Sequence, residues 1–72
     1  MIIQAIIFNS QMWTAQSSKN WIKDHNFKPI KAVHKTSHFY RYRIKDPNLF
    51  SGFITKTFPE GIEIIFGIPF TF

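Results

Sequence analysis

Apolar residues run from Ile2 to Phe8 with only Gln4 interrupting them, and apolarity on both faces predicts a central strand covered on both sides or lying at an interface. Asn9, Ser10 and Gln11 break the run. The period then changes. Ser18, Trp21, Ile22 and His25 follow i, i+3, i+4, i+7 spacing, which predicts a helix from Ala15 to about His25 with Lys19, Lys23 and Asp24 on its other faces. Thr14 is the expected N-cap. A helix of this length, about 17 Å, is too short to stand alone, so Trp21 and Ile22 must anchor it to a sheet. Ser18 lets it approach closely. Lys23 and His25 suit the negative helix end, Asn26 tolerates the left-handed conformation and Pro29 forbids continuation. Phe27 is expected to fold back over the last turn.

Alternation replaces the helical period in the next segment. Ile30, Ala32 and His34 alternate with Lys31, Val33 and Lys35, predicting a second strand from Ile30 to His34, with Thr36 and Ser37 as a hairpin turn and His38 to Ile44 as a third strand. Successive strand side chains point to opposite faces. Phe39, Arg41 and Arg43 therefore share one face, and Tyr40, Tyr42 and Ile44 the other. Asp46-Pro47-Asn48 reads as a cap followed by proline at the first helical position, a single turn that carries Leu49 and Phe50 into the core. Phe53 to Phe58 and Ile62 to Phe66 are the last predicted strands, joined through Pro59-Glu60-Gly61, with Gly61 at positive φ. Gly67 and Pro69 are expected to end the sheet, leaving Phe70 and Phe72 at a terminus prone to fray. The order β-α-β-β-turn-β-β predicts a single α+β domain over residues 1–72. Its one helix packs on a four- to five-stranded, mostly antiparallel sheet.

Composition narrows the function classes. A chain of 72 residues that is 44% hydrophobic and 18% aromatic is not intrinsically disordered. Folding at this size buries only about 62% of the extended chain's surface, so stability needs dense packing or partners. The absence of cysteine rules out disulfides, thiolate metal sites and a cysteine nucleophile, and fits an intracellular or virion setting better than a secreted one. The opening segment from Met1 to Phe8 is eight residues long, lacks a basic leader and falls short of the ~20 residues that cross a bilayer. No transmembrane segment is expected. A net charge of +5 favours acidic partners. Two thirds of the basic residues lie between Lys28 and Lys45, namely Lys28, Lys31, Lys35, Arg41, Arg43 and Lys45, with no acid among them.

Candidate chemistry is sparse. Asp46 is accounted for as a cap, Glu60 as a turn residue and Asp24 as part of a charged helix end, which leaves no paired carboxylates for acid–base work. His34 and His38 flank a predicted hairpin turn and are expected side by side across the ladder, yet two histidines without a carboxylate or cysteine make a poor zinc site. Gly52, Gly61 and Gly67 are isolated, so no phosphate loop exists. The serines lack a base and a nucleophile elbow. Neither an enzyme nor a cofactor is expected.

The basic strand has a stronger case. Guanidinium groups two residues apart are about 7 Å apart along a strand and match successive phosphates, while Phe39 beside them suits stacking on an unpaired base at ~1–3 kcal/mol. Lys31, Lys35 and Lys45 extend the patch. The competing reading is a solvated face whose arginine stems cover aromatic neighbours. Met12, Trp13, Phe70 and Phe72 supply a different candidate: apolar residues at poorly placed or terminal positions mark a protein interface.

The combination of Trp21-Ile22, Lys28-Pro29-Ile30-Lys31, Tyr40-Arg41-Tyr42-Arg43, Asp46-Pro47, Phe50, Phe53 and Gly61-Ile62 resembles a small module found in proteins of bacteriophages and other DNA viruses, alone or attached to virion or morphogenesis proteins. The resemblance covers Gln4 to Gly67. It implies a viral context and a fold, with no catalytic residue to carry over. The expectation is therefore a noncatalytic viral binding module that contacts nucleic-acid phosphates largely independently of sequence. Neutralising about four phosphates would give a slope of log K against log salt of roughly −3 to −4. The alternatives are a protein-interaction or virion assembly module, self-associating or bound to a viral or host protein, and a small inhibitor of a host protein.

Overall fold

A computed structural model describes residues 2–70, and its elements follow the predicted order. These are β1 (Ile2–Asn9), α1 (Ala15–Asp24), β2 (His34–Lys35), β3 (Phe39–Arg43), a 3₁₀ turn (Pro47–Leu49), β4 (Phe50–Phe58) and β5 (Ile62–Pro69). The strands form one sheet in the order β2-β3-β1-β5-β4, with every pairing antiparallel. β1 is the centre of the sheet, which explains its largely apolar run: Gln4, Ala5, Ile6 and Phe8 are all buried. The class is α+β, one helix against five strands.

Local chemistry fixes both ends of α1. Thr14 Oγ1 accepts from the Ser17 amide at 3.0 Å while Ser17 Oγ accepts from the Thr14 amide at 2.9 Å. This is a capping box with serine in place of the usual Glu or Gln. At the other end Asn26 sits at φ 60°, its amide donates to Lys23 O at 3.0 Å and the Phe27 amide donates to Ile22 O at 3.1 Å. That pair of bonds is a Schellman motif. It returns the Phe27 ring parallel to Trp21 at 6.1 Å.

The helix buries Ser18 and Ile22 against Ile6, Phe8, Tyr42, Ile44 and Ile62. The Phe8 ring is met edge-on by Trp13, Trp21 and Tyr42 at 5.0, 5.5 and 5.6 Å, and such pairs contribute about 0.5–1.5 kcal/mol each beyond area burial. Ser18 Oγ and Tyr42 OH are 2.8 Å apart, which satisfies both hydroxyls inside the core. Gln4 is buried at a β-bulge between Ile3 and Ala5. Its Nε2 donates to Lys45 O at 2.9 Å, and its backbone carbonyl accepts from the Ile44 and Lys45 amides.

Several predicted boundaries change. The strand expected over Ile30 to His34 is reduced to His34–Lys35. The Ile30 amide donates to Arg43 O while His34 pairs with Arg41, so four steps on this side span two on β3. Residues 31–33 bow out, and Val33 packs against the core. His34 consequently opposes Arg41 rather than His38, which precedes β3. The third strand loses one residue at each end of its predicted span. Leu49 does not enter the core: it is 57% exposed, whereas Phe50 is 7% exposed. β4 and β5 are both longer than predicted, because Gly67 continues the sheet opposite Phe53 and Ile2. A Cβ on Gly67 would collide with the Phe50 ring, so this glycine is a seat for an aromatic side chain and not a terminator. Pro69 pairs with Phe50 at the end of β5, where its missing amide costs little. Gly61 takes φ 80° in the predicted turn. Among the described residues no helix is long and apolar enough to cross a membrane.

Candidate nucleic-acid interface

Commitment of Tyr42 and Ile44 to the core determines where the arginines go. Strand alternation sends Phe39, Arg41 and Arg43 to the sheet face that α1 leaves open. There they oppose Asn9, Ile7 and Ala5 of β1, while His34 lies across from Arg41 on the other side. Both arginines are half-buried. Ala5 is fully buried although it is on the uncovered face, because its cross-strand neighbours Arg43 and Ile65 flank it. The arginine stems thus cover apolar surface while their heads form a charged ridge.

Lys31, Ala32, His34, Arg41 and Arg43 line a hollow of about 370 Å³, with no carboxylate among the described residues there. Arg41 Nε is buried and has no hydrogen-bond partner among the described residues. An unsatisfied buried donor costs roughly 1–3 kcal/mol, more on a charged group. Phe39 stands next to this hollow, its ring edge-on to His34 at 6.2 Å. It also lines a second hollow of about 370 Å³ with Ile7, Asn9, His38, Thr57 and Glu63. Glu63, opposite Ile7 on β5, bounds the positive patch two strands from Arg41.

The fold brings together Lys31, Arg41 and Arg43, with Phe39 adjoining, and separates the other two predicted cations. Lys35 pairs with Tyr40 and lines a groove with Tyr42 on the helix side. Lys45 follows β3 and borders a separate hollow with Lys28, Phe27 and Ile44. His34 belongs to the hollow although the sequence did not assign it to the basic patch. The signal for it was its alternation parity with Arg41, obscured by assigning His34 to a partnership with His38.

The predicted aromatic interface divides as well. Met12 is exposed and rests over Gly61. Trp13 is packed against the core, its Nε1 donating to Glu60 O at 2.8 Å, so burial and this bond account for it. Phe70 is exposed, and Phe72 lies outside the described residues. Among the described residues no group of three or more His, Asp or Glu is placed to hold a metal ion. Compared with known proteins, the chain matches no family model, no curated protein and no solved structure.

Proposed function

We propose that this chain is a noncatalytic nucleic-acid-binding module that holds backbone phosphates on Arg41, Arg43 and Lys31. The observation that carries the reading is the basic hollow on which Lys31, His34, Arg41 and Arg43 converge, with no carboxylate among the described residues that line it. A guanidinium matches a phosphate with two parallel N–H···O bonds, and two guanidiniums about 7 Å apart suit consecutive phosphates of one strand. Phosphate contacts position the ligand and carry no base information, so binding is sequence-independent. Phe39 adds stacking for an unpaired base and favours single strands over duplex. Support for a viral setting comes from the resemblance of the Trp21, Lys28–Lys31, Tyr40–Arg43 and Asp46-Pro47 pattern.

Anisotropy of labelled single- and double-stranded DNA across a salt series tests this. Three cations on one face give an expected slope of about −2 to −3 in log K against log salt. Arg41→Glu with Arg43→Glu removes binding while the circular dichroism stays unchanged. Salt-insensitive binding, or binding that survives in a folded double variant, sinks the reading.

A protein-assembly role is the second reading, and it rests on β4. This strand is a sheet edge of nine residues with Lys56 as its only charge, and Phe53 and Ile54 on it are 48% and 41% exposed. Long apolar edges with so little charge protection pair with other chains. Concentration-dependent mass in light scattering, insensitive to salt, is the expected signature.

A further inference from the structure

The helix-bearing face of the sheet is only partly covered. Five strands at about 4.8 Å spacing span roughly 19 Å, whereas one helix is about 10 Å wide with its side chains. Over β3 the missing cover is supplied by the segment that bows out between Asn26 and Val33. Between that segment and α1 runs a groove of about 800 Å³. Its apolar lining includes Ile22, Phe27, Val33 and Tyr42, and its banks carry Lys19 and Lys23 on the helix and Lys28, Lys31 and Lys35 opposite, with no carboxylate among the described residues of the lining. All five lysines are exposed.

From this we infer that the groove is a docking site for an acidic amphipathic segment of a partner protein. Its apolar side chains fill the groove and its carboxylates lie against the two lysine banks. The distribution of charge selects this occupant. A single-chain fatty acid carries one carboxylate and needs one cation at a mouth, whereas here five cations line both banks of an open channel. A nucleic acid supplies the charge but wants free aromatic faces. Phe27 is stacked on Trp21 and Tyr42 is buried, so the floor accommodates aliphatic side chains better than bases. Amphipathic helices seat their apolar face in such grooves with flanking charges setting orientation. The groove lies on the opposite sheet face from Arg41 and Arg43, and Lys31 and Ala32 border both sites.

The probes are three labelled synthetic peptides. The first is glutamate-rich with leucine and phenylalanine at helical spacing, the second has those apolar residues replaced by serine, and the third has its glutamates replaced by glutamine. The first is expected to bind, with the other two roughly tenfold weaker. Lys19→Glu with Lys23→Glu, both at exposed helix positions, and separately Ala15→Trp, at a position that lines the groove and not the arginine hollow, are each expected to weaken the first peptide roughly tenfold. Arg41→Glu with Arg43→Glu leaves peptide affinity unchanged, which separates this site from the phosphate site. Equal binding of the first and second peptides, full affinity in both groove variants, or displacement of the peptide by an oligonucleotide or by laurate would each overturn the proposal.

Discussion

β3 and β5 are both antiparallel partners of β1, and each has a second strand outside it in a hairpin, yet the two hairpins differ in charge and in how they end. Residues 34–43 contain Lys35, Arg41, Arg43 and two histidines without an acid, whereas residues 50–69 contain Lys56 against Glu60 and Glu63. The first hairpin terminates the sheet in a two-residue charged strand. The second terminates it in a nine-residue strand with apolar residues exposed on both faces. Short charged edges resist strand addition and long apolar ones invite it. The same sheet thus ends in a short basic edge at one side and a long, mostly apolar edge at the other. Packing follows the same division. The basic hairpin is tied to α1 through Tyr42 and Ser18, while the apolar hairpin is held by Phe50 lying over Gly67.

If this division holds, substitutions in the two hairpins should separate binding from stability. The largest effect is expected from Arg41→Glu with Arg43→Glu. Oligonucleotide affinity should fall about a thousandfold, roughly 4 kcal/mol, with the thermal midpoint nearly unchanged. A comparable loss of stability would show that the arginines are structural. Gly67→Ala should do the reverse. Its methyl group has to displace the Phe50 ring, a strain of about 3 kcal/mol visible in urea unfolding, and nucleic-acid affinity should persist wherever the variant remains folded. Tyr42→Phe removes the buried hydroxyl pair and should cost about 1 kcal/mol. The cost is limited because Ser18 Oγ keeps its bond to Ala15 O. Thr14→Ala, which removes the N-cap, is expected to cost a similar ~1 kcal/mol by thermal unfolding. The smallest change in stability belongs to Ile54→Lys. At an exposed strand position it should stay within about 0.5 kcal/mol of the parent while abolishing any self-association seen by light scattering. Persistent association in that variant would place the contact elsewhere.

Much of this division was legible in the chain. Thr14, Asn26, Asp46 and Gly61 act through bonds or backbone angles within a few residues of themselves, so each boundary they set could be read locally. Parity along Phe39–Ile44 likewise assigned the arginines to a face, since a strand has only two. Other features depended on distant atoms. Whether Gly67 ends a strand or continues it depends on Phe50, seventeen residues away. The truncation of β2 depends on Val33 finding the core. Trp13 looked like a free aromatic because its partners, Phe8 and the Glu60 carbonyl, come from β1 and from the turn before β5.

The candidate site divides along the same line. Sequence order grouped six consecutive cations, but side chains on neighbouring strands meet by register and parity, and the bow at residues 31–33 keeps Lys31 beside the arginines while Lys35 faces the helix. The lysine-banked groove shows the same dependence, since Lys19 and Lys23 at i, i+4 share a helix face in any context, but their opposite bank exists only once the chain returns past Pro29. The sequence by itself determined the elements, their caps and the sign of the charge on each, because those follow from short-range sterics and hydrogen bonding. Only the tertiary structure decided which cations share a surface, which aromatics are spent in the core and where an arginine donor is left without a partner. Those outcomes depend on burial and pairing between residues far apart in the chain.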